Sequence, residues 1–159
     1  MKVGNTGPAG DFIFYDKGKV SEGWRYLEAA PDDQSIGIQW SNGNSSSAID
    51  TGYAVGTGMA NTEAIIAAQG IGSYAATLCK NLTLGGFSDW FLPSIFELSL
   101  MYKNLKKKAG LGSFGESWLW SSSQIYSFYA WEQRFSDGCQ TSDIFDMSSQ
   151  YAVRACRAF

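Results

Sequence analysis

The stretch "SWLWSSSQIYSFYAWEQRFSDGCQ", residues 117 to 140, decides how the chain is read. "SWLWSSS" reads as a strand. In "AWEQRFSDG", Trp131, Gln133 and Phe135 fall on one side of a period-two pattern, and Ala130, Glu132 and Arg134 on the other. Asp137-Gly138 is a hairpin turn signal. Between the two runs stand Ile125, Tyr126, Ser127, Phe128 and Tyr129, large side chains where three serines suggest a loop. The alternation places Trp131 and Phe135 on a core face and leaves Glu132 and Arg134 on an exposed one.

Outward from this stretch, "YAVRACRAF" at 151–159 reads as a last strand. Upstream, "FIFYDKGK" is a strand ending at Asp16-Lys17-Gly18. "GWRYLEAAP" is a second strand that Pro31 closes, and the two read as a hairpin. Residues 32–60 are rich in Ser, Gly and Asn and predict a long loop anchored by Trp40 and Tyr53. Asn61 is placed as a helix N-cap, with Ile65, Ile66, Tyr74, Leu78 and Leu82 at helical spacing and an interruption around Gly70 and Gly72. Ser94 with Glu97 forms a capping box for a second helix carrying Leu98, Met101, Tyr102 and Leu105, and Gly110 stops it. The expected fold class is α+β: a mostly antiparallel sheet, two flanking helices and long loops, in a single domain over 1–159.

The 159 residues suffice for one core, and 45% hydrophobic against 17% charged marks a folded chain. Net charge is −3, which disfavours nucleic acid as a partner. The Lys106-Lys107-Lys108 run lies at a helix end, where it suits the helix dipole. There is no His, which excludes Ser-His-Asp and Cys-His catalysis and every His-containing metal site. Cys79, Cys139 and Cys156 are widely spaced and make no zinc pattern. No cofactor or metal is expected. No apolar run is long enough to insert in a membrane. No signal peptide precedes Gly4, so work at the cell surface or outside the cell would mean that the chain is a domain of a longer protein or that its export signal is missing from this sequence. Aromatics reach 15%, more than a small core needs, so some are expected at the surface.

In order along the chain, "GPAGDFIFYDKG", "GWRYLEAAPDDQS", "GTGMANTEAI", "LTLGGFSDWFLPSIFELSLMYKNLKKKAGLGSF", "WSSS", "AWEQRFSDG" and "VRACRAF" resemble the bacterial domain family found at the C-terminus of collagen-like adhesins. That family is similar to C-type-lectin-fold domains that include formylglycine-generating enzymes. The resemblance implies a C-type-lectin-like fold in which the first and last strands pair, bringing "FIFY" beside "AVRACRAF". It also implies kinship with the variable proteins of diversity-generating retroelements, whose C-terminal regions are rewritten at ligand-contacting positions. On that footing residues 120–159 form the ligand-binding region. "WSSS", "AW-Q-FSDG-Q" and "VRA-RAF" are frame. Ile125, Tyr126, Ser127, Phe128, Tyr129, Glu132, Arg134, Cys139, Thr141, Asp143, Ile144 and Met147 are the ligand-contacting inserts.

The resulting expectation is a non-enzymatic binding domain of receptor or adhesin type. Its ligand is a protein, with a glycan the lesser choice. Two alternatives stand beside it: an enzyme related to the sulfatase-modifying factors, which would need a reactive cysteine pair, and a structural trimerising adhesin cap. Oligomeric state is left open. Arg154 and Arg157 are expected to hold the sheet together by pairing with Asp89 or Glu97.

Overall fold

A computed structural model describes residues 1–43, 48–144 and 149–159. Along the chain come strands β1 (Ile13–Ser21), β2 (Trp24–Ala29) and β3 (Ser35–Ile38), then helices α1 (Gly58–Gln69), α2 (Ala75–Lys80) and α3 (Ile95–Met101). Helix α3 runs on into a π-helical segment, Tyr102–Lys107. Strands β4 (Trp118–Tyr126), β5 (Tyr129–Arg134), β6 (Gln140–Ile144), β7 (Tyr151–Val153) and β8 (Cys156–Ala158) complete the chain. The fold is α+β. A three-stranded sheet has the order β1-β2-β8, and a five-stranded sheet the order β3-β7-β4-β5-β6. Pairing is antiparallel except between β4 and β7, which run parallel.

The β1–β2 hairpin forms, but its turn lies at Glu22-Gly23, not at Asp16-Lys17-Gly18. Both turn residues have positive φ, 55° and 81°, as a two-residue type I′ turn requires. Asp16 instead anchors the strand: the Gly18 N–H donates to it at 2.8 Å, and Arg25 forks onto both its oxygens at 2.7 and 3.0 Å. The expected pairing of "FIFY" with the last strand does not occur. The partner of β8 is β2, through Leu27↔Ala158, Glu28↔Arg157 and Ala29↔Cys156, and β1 takes the outer place. "YAVRACRAF" is also two strands. Tyr151–Val153 belongs to the large sheet and Cys156–Ala158 to the small one, with Arg154 and Ala155 crossing between them.

The expected first helix is cut in two at Gly70–Tyr74, so three α-helices stand among the described residues where two were read. Asn61 is not the N-cap, because α1 begins three residues earlier, after Thr57. Buried Asn61 is a tether. It accepts from the Gly52 N–H at 2.7 Å and donates to the Gly52 carbonyl at 2.7 Å and Ser122 Oγ at 3.1 Å. The Ser94–Glu97 capping box is formed as expected. Glu97 does more: buried, it also accepts from the Gly56 N–H at 2.8 Å, which ties the start of α1 to the start of α3. A Cβ on Gly58 would lie 2.2 Å from its carboxylate, so only glycine fits there.

The large sheet is covered on both faces. Trp120, Ala130 and Val153 pack with Trp40, Ile65, Tyr74 and Trp90. Their neighbours Leu119, Phe135 and Ala152 pack with Phe14, Leu98, Met101 and Leu105. Successive strand residues point to opposite faces, so these are two cores with the sheet between them. No helix among the described residues is long and apolar enough to cross a membrane.

Candidate ligand-binding surface

The three serines explain why aromatic residues next to them stay outside. Ser121, Ser122 and Ser123 are all buried. Ser121 Oγ donates to the Trp131 carbonyl at 2.7 Å. Ser123 Oγ donates to the Gly52 carbonyl at 2.9 Å and accepts from the Ile95 N–H at 3.0 Å. Gln124 continues the seam: its N–H donates to Thr51 Oγ1 at 2.8 Å, and its Oε1 accepts from the Ile49 N–H at 2.6 Å. Side-chain hydroxyls and an amide thus hold the loop at 49–52 against β4, where the β4–β5 register slips between Trp120 and Gln124. The small residues of β4 fasten the loop, so no aromatic has to lie under it.

Beyond this seam β4 continues through Ile125 and Tyr126, turns at Ser127-Phe128 and returns as β5. The expected loop is therefore the tip of a hairpin. Tyr126 is 69% exposed, Phe128 48% and Tyr129 38%, while Ile125 and Ser127 are half-buried. Tyr126 pairs with Tyr129, and Tyr129 with Ile144 of β6. Backbone pairing therefore brings Tyr126, Tyr129 and Ile144 side by side across three strands.

The remaining candidates divide. Arg134 and Cys139 lie at the opposite end of β5, whose six residues span roughly 17 Å. Arg134 forks onto Asp137 and stacks over the Trp118 ring at 5.1 Å. The Arg134 guanidinium, hydrogen-bonded to the Asp137 carboxylate, lowers its pKa to about 2. Cys139 is exposed in the turn, and Thr141 is exposed on β6. Asp143 is half-buried. Met147 lies outside the described residues, as does the side chain of Ile144.

Glu132 corrects the alternation reading. It is 2% exposed, not part of an open outer face, because that face carries the Trp120–Trp40 core. Trp131, placed on a buried face, is half-buried. Glu132 Oε2 is buried with no hydrogen-bond partner among the described residues. Burial, and then the charge of Asp143, push its carboxyl from the ordinary 4.5 up to about 8. Asp143 is its diagonal neighbour, since Ala130 pairs with Asp143 and Glu132 with Thr141. Asp143 Oδ2 in turn accepts from the hydroxyls of Tyr151 and, at 3.4 Å, Ser149. Burial, and then the hydrogen bond to Asp143, push the Tyr151 phenol up. Tyr151 and Ser149 were not among the sequence candidates. The parallel β4–β7 pairing sets Tyr151 beside β4, with its ring 4.5 Å from that of Trp120.

A groove of about 380 Å³ beside the β6 start is lined by Val55, Phe96, Leu100 and Gln140. Among the described residues no group of three or more His, Cys, Asp or Glu side chains could hold a metal ion. All three cysteines are free thiols, and burial pushes those of Cys79 and Cys156 well above the usual range. No protein-family model matches the chain, and no curated protein is significantly similar to it.

Proposed function

We propose that this chain is a non-enzymatic ligand-binding domain of receptor or adhesin type, with a C-type-lectin-like arrangement, that recognises a protein through the β4–β5 hairpin and the adjoining β6. The observation that carries the reading is Tyr126, Phe128 and Tyr129 standing in solvent on a hairpin whose base is fastened by buried Ser121, Ser122 and Ser123. Large, stiff aromatic side chains give contact area at low entropic cost, and contiguous exposed aromatics mark recognition surfaces. A fixed base under a freely exposed tip also suits a surface whose side chains are exchanged by a diversity-generating retroelement while the scaffold stays. The two buried thiols, held protonated, favour binding over the redox chemistry of a sulfatase-modifying enzyme. A domain of this kind would work at the cell surface as part of a longer protein.

Two measurements test the proposal. The first is the DNA beside the gene. A reverse transcriptase and a near-copy of the 3′ end, differing at template adenines in the codons for 125–147, is the expected finding. The second is a screen of the chain against arrays of surface proteins and glycans. A protein hit that Tyr126→Ala and Phe128→Ala each weaken at least tenfold supports the reading. A hit indifferent to both, or a glycan as the tightest ligand, overturns it.

A further inference from the structure

The groove beside the β6 start lies on the same face of the large sheet as two of the hairpin aromatics. Tyr129, Trp131 and Gln133 alternate onto one face of β5, Tyr126 is the cross-strand partner of Tyr129, and Gln140 is that of Gln133. Helix α3 packs on this face, because Leu98 and Met101 share a core with Leu119, another partner of Gln133. Phe96, Ser99, Leu100 and Lys103 recur at helical spacing and, with Val55 and Gln140, line the groove. Gln133 and Tyr129 are four residues apart, so Gln140 stands about 13 Å along the strands from the aromatic tip.

Two polar groups of the groove are left without partners. Ser99 is 9% exposed, yet among the described residues its hydroxyl makes no hydrogen bond. Lys103, four residues on and exposed, makes no ion pair among them, whereas Lys106 is taken by Glu116. Among the described residues that line the groove, Lys103 is the only charged one. The rest of the wall is largely apolar: Val55, Leu100 and the half-exposed Phe96. A hydroxyl set among apolar side chains costs free energy until something accepts from it. A hydroxyl and an ammonium at i and i+4, with no acid beside them in the lining, form a donor pair for a carboxylate.

We propose that the groove receives an extended segment of the protein ligand that carries an apolar side chain and, two positions away, a carboxylate. This rests on the binding-domain reading above and names the chemistry that the domain selects. The carboxylate takes the Ser99 hydroxyl and the Lys103 ammonium, and the apolar side chain lies against Phe96, Val55 and Leu100. The spacing fits. Phe96 and the middle of the Ser99–Lys103 pair are about 7.5 Å apart along the helix, and alternate residues of an extended chain are about 6.8 Å apart. About four further extended residues carry the same segment along the sheet face to Tyr129, so one partner can fill the groove and cover the hairpin.

The test is an NMR titration of the whole chain with amides and methyl groups labelled. The probe is the tripeptide acetyl-Phe-Gly-Asp-amide, compared with its analogues ending in Asn and in Lys. The Asp peptide is expected to shift the signals of Val55, Phe96, Leu100 and Lys103 saturably, and to bind about threefold more tightly than the Asn peptide, as one exposed ion pair allows. The Lys peptide is expected to bind most weakly, although the net charge of −3 would by itself attract it, so the order reads the groove and not the general field. Lys103→Glu, at an exposed position, is expected to reverse that order, and Ser99→Ala to weaken the Asp peptide while leaving the Lys peptide as it was. Equal affinity for the three peptides would mean a plain apolar crevice and overturn the proposal, as would saturation at another surface or no saturation with any peptide. Failure here is separable from failure of the binding-domain reading. A protein ligand that depends on Tyr126 and Phe128 but ignores Lys103→Glu sinks the groove alone. A groove that selects the Asp peptide, with no ligand that depends on the hairpin, sinks the wider reading alone.

Discussion

Arg157 grips Asp89 through two parallel hydrogen bonds, Nε to Oδ1 at 2.7 Å and Nη2 to Oδ2 at 2.9 Å, while its Nη1 reaches Glu28 at 3.2 Å. Glu28 is buried and also accepts from the Ala9 and Asp11 N–H groups. One guanidinium, stacked 3.8 Å from the Phe87 ring centre, therefore joins β8, β2, the N-terminal turn and the loop before α3. Arg154 makes a second joint of the same kind. It pairs with Asp33 at 2.7 Å, and its Nη1 donates to the carbonyls of Ala30, Pro31 and Gly112. Of the expected partners, Asp89 serves Arg157. Glu97 serves neither arginine, being taken by its capping box and Gly56.

Arg157→Lys is expected to lose the fork and to cost about 1.5–3 kcal/mol, the worth of a hydrogen bond to a charged group. Arg154→Lys is expected to cost at least as much, because one ammonium cannot serve Asp33 and three carbonyls together. Urea unfolding measures both. Ligand binding by the folded fraction is expected to stay as in the parent. A variant that keeps its stability yet loses its ligand would place that arginine in the recognition surface.

The hairpin tip and its base are expected to respond oppositely. Tyr126→Ala and Phe128→Ala remove exposed side chains and are expected to change stability by no more than about 0.5 kcal/mol. Phe135→Ala empties a buried site where the ring meets Tyr102 and Phe114, with centroids 5.4 and 5.0 Å away, and is expected to cost about 3–5 kcal/mol. Thermal unfolding of the three variants side by side decides this. Comparable losses at all three positions would mean that the tip is packed and not presented.

What the sequence discloses follows how local each determinant is. The Ser94–Glu97 box and the Asp137-Gly138 turn are contacts within a few residues, and both could be read directly. At that turn the φ of Gly138 is 81°, and the Tyr102 ring lies where a Cβ would go, so glycine is doubly required. The prominence of Tyr126, Phe128 and Tyr129 was legible too, because they exceed what the core can use. Glu132 was not. Period-two alternation assumes one dry face and one wet face, and here α1, α2 and Trp40 cover the second face. Nor was the Arg154–Asp33 pair, whose members are 121 residues apart. Asn61 looked like a cap because caps and tethers use the same short amide, and only the fold tells which backbone it meets.

Thiol chemistry gives a further check. Cys139 is exposed, whereas Cys79 and Cys156 are buried with their thiols held protonated. A native-state titration with an aromatic disulfide reagent is expected to find one fast-reacting thiol, and Cys139→Ser is expected to remove it. In denaturant the parent is expected to release three. A count of one in denaturant, with two recovered on reduction, would mean that a disulfide forms and that the binding reading must give way to a redox one.

Glu132 makes stability depend on pH with a definite sign. Unfolded, its carboxyl ionises near the ordinary 4.5. Folded, it keeps its proton up to about 8 because burial, and then Asp143 on β6, oppose the charge, with the Tyr151 phenol on β7 the other titratable group facing it. Between these values the folded chain holds a proton that the unfolded chain has released, so stability falls as pH rises through the window. Asp11, raised to about 6 chiefly by burial, acts with the same sign but is spent above that pH. Buried Glu97 is raised as well, chiefly by burial, and acts with the same sign, so the share of Glu132 is read by comparing the parent with a variant. Glu132→Gln, which carries no titrating proton, is expected to make the decline from pH 6 to pH 8 shallower and to unfold at higher denaturant than the parent at pH 8. A parent whose midpoint stays level from pH 6 to pH 8, or a variant with the same slope as the parent, would show that Glu132 is already ionised and balanced in the folded chain.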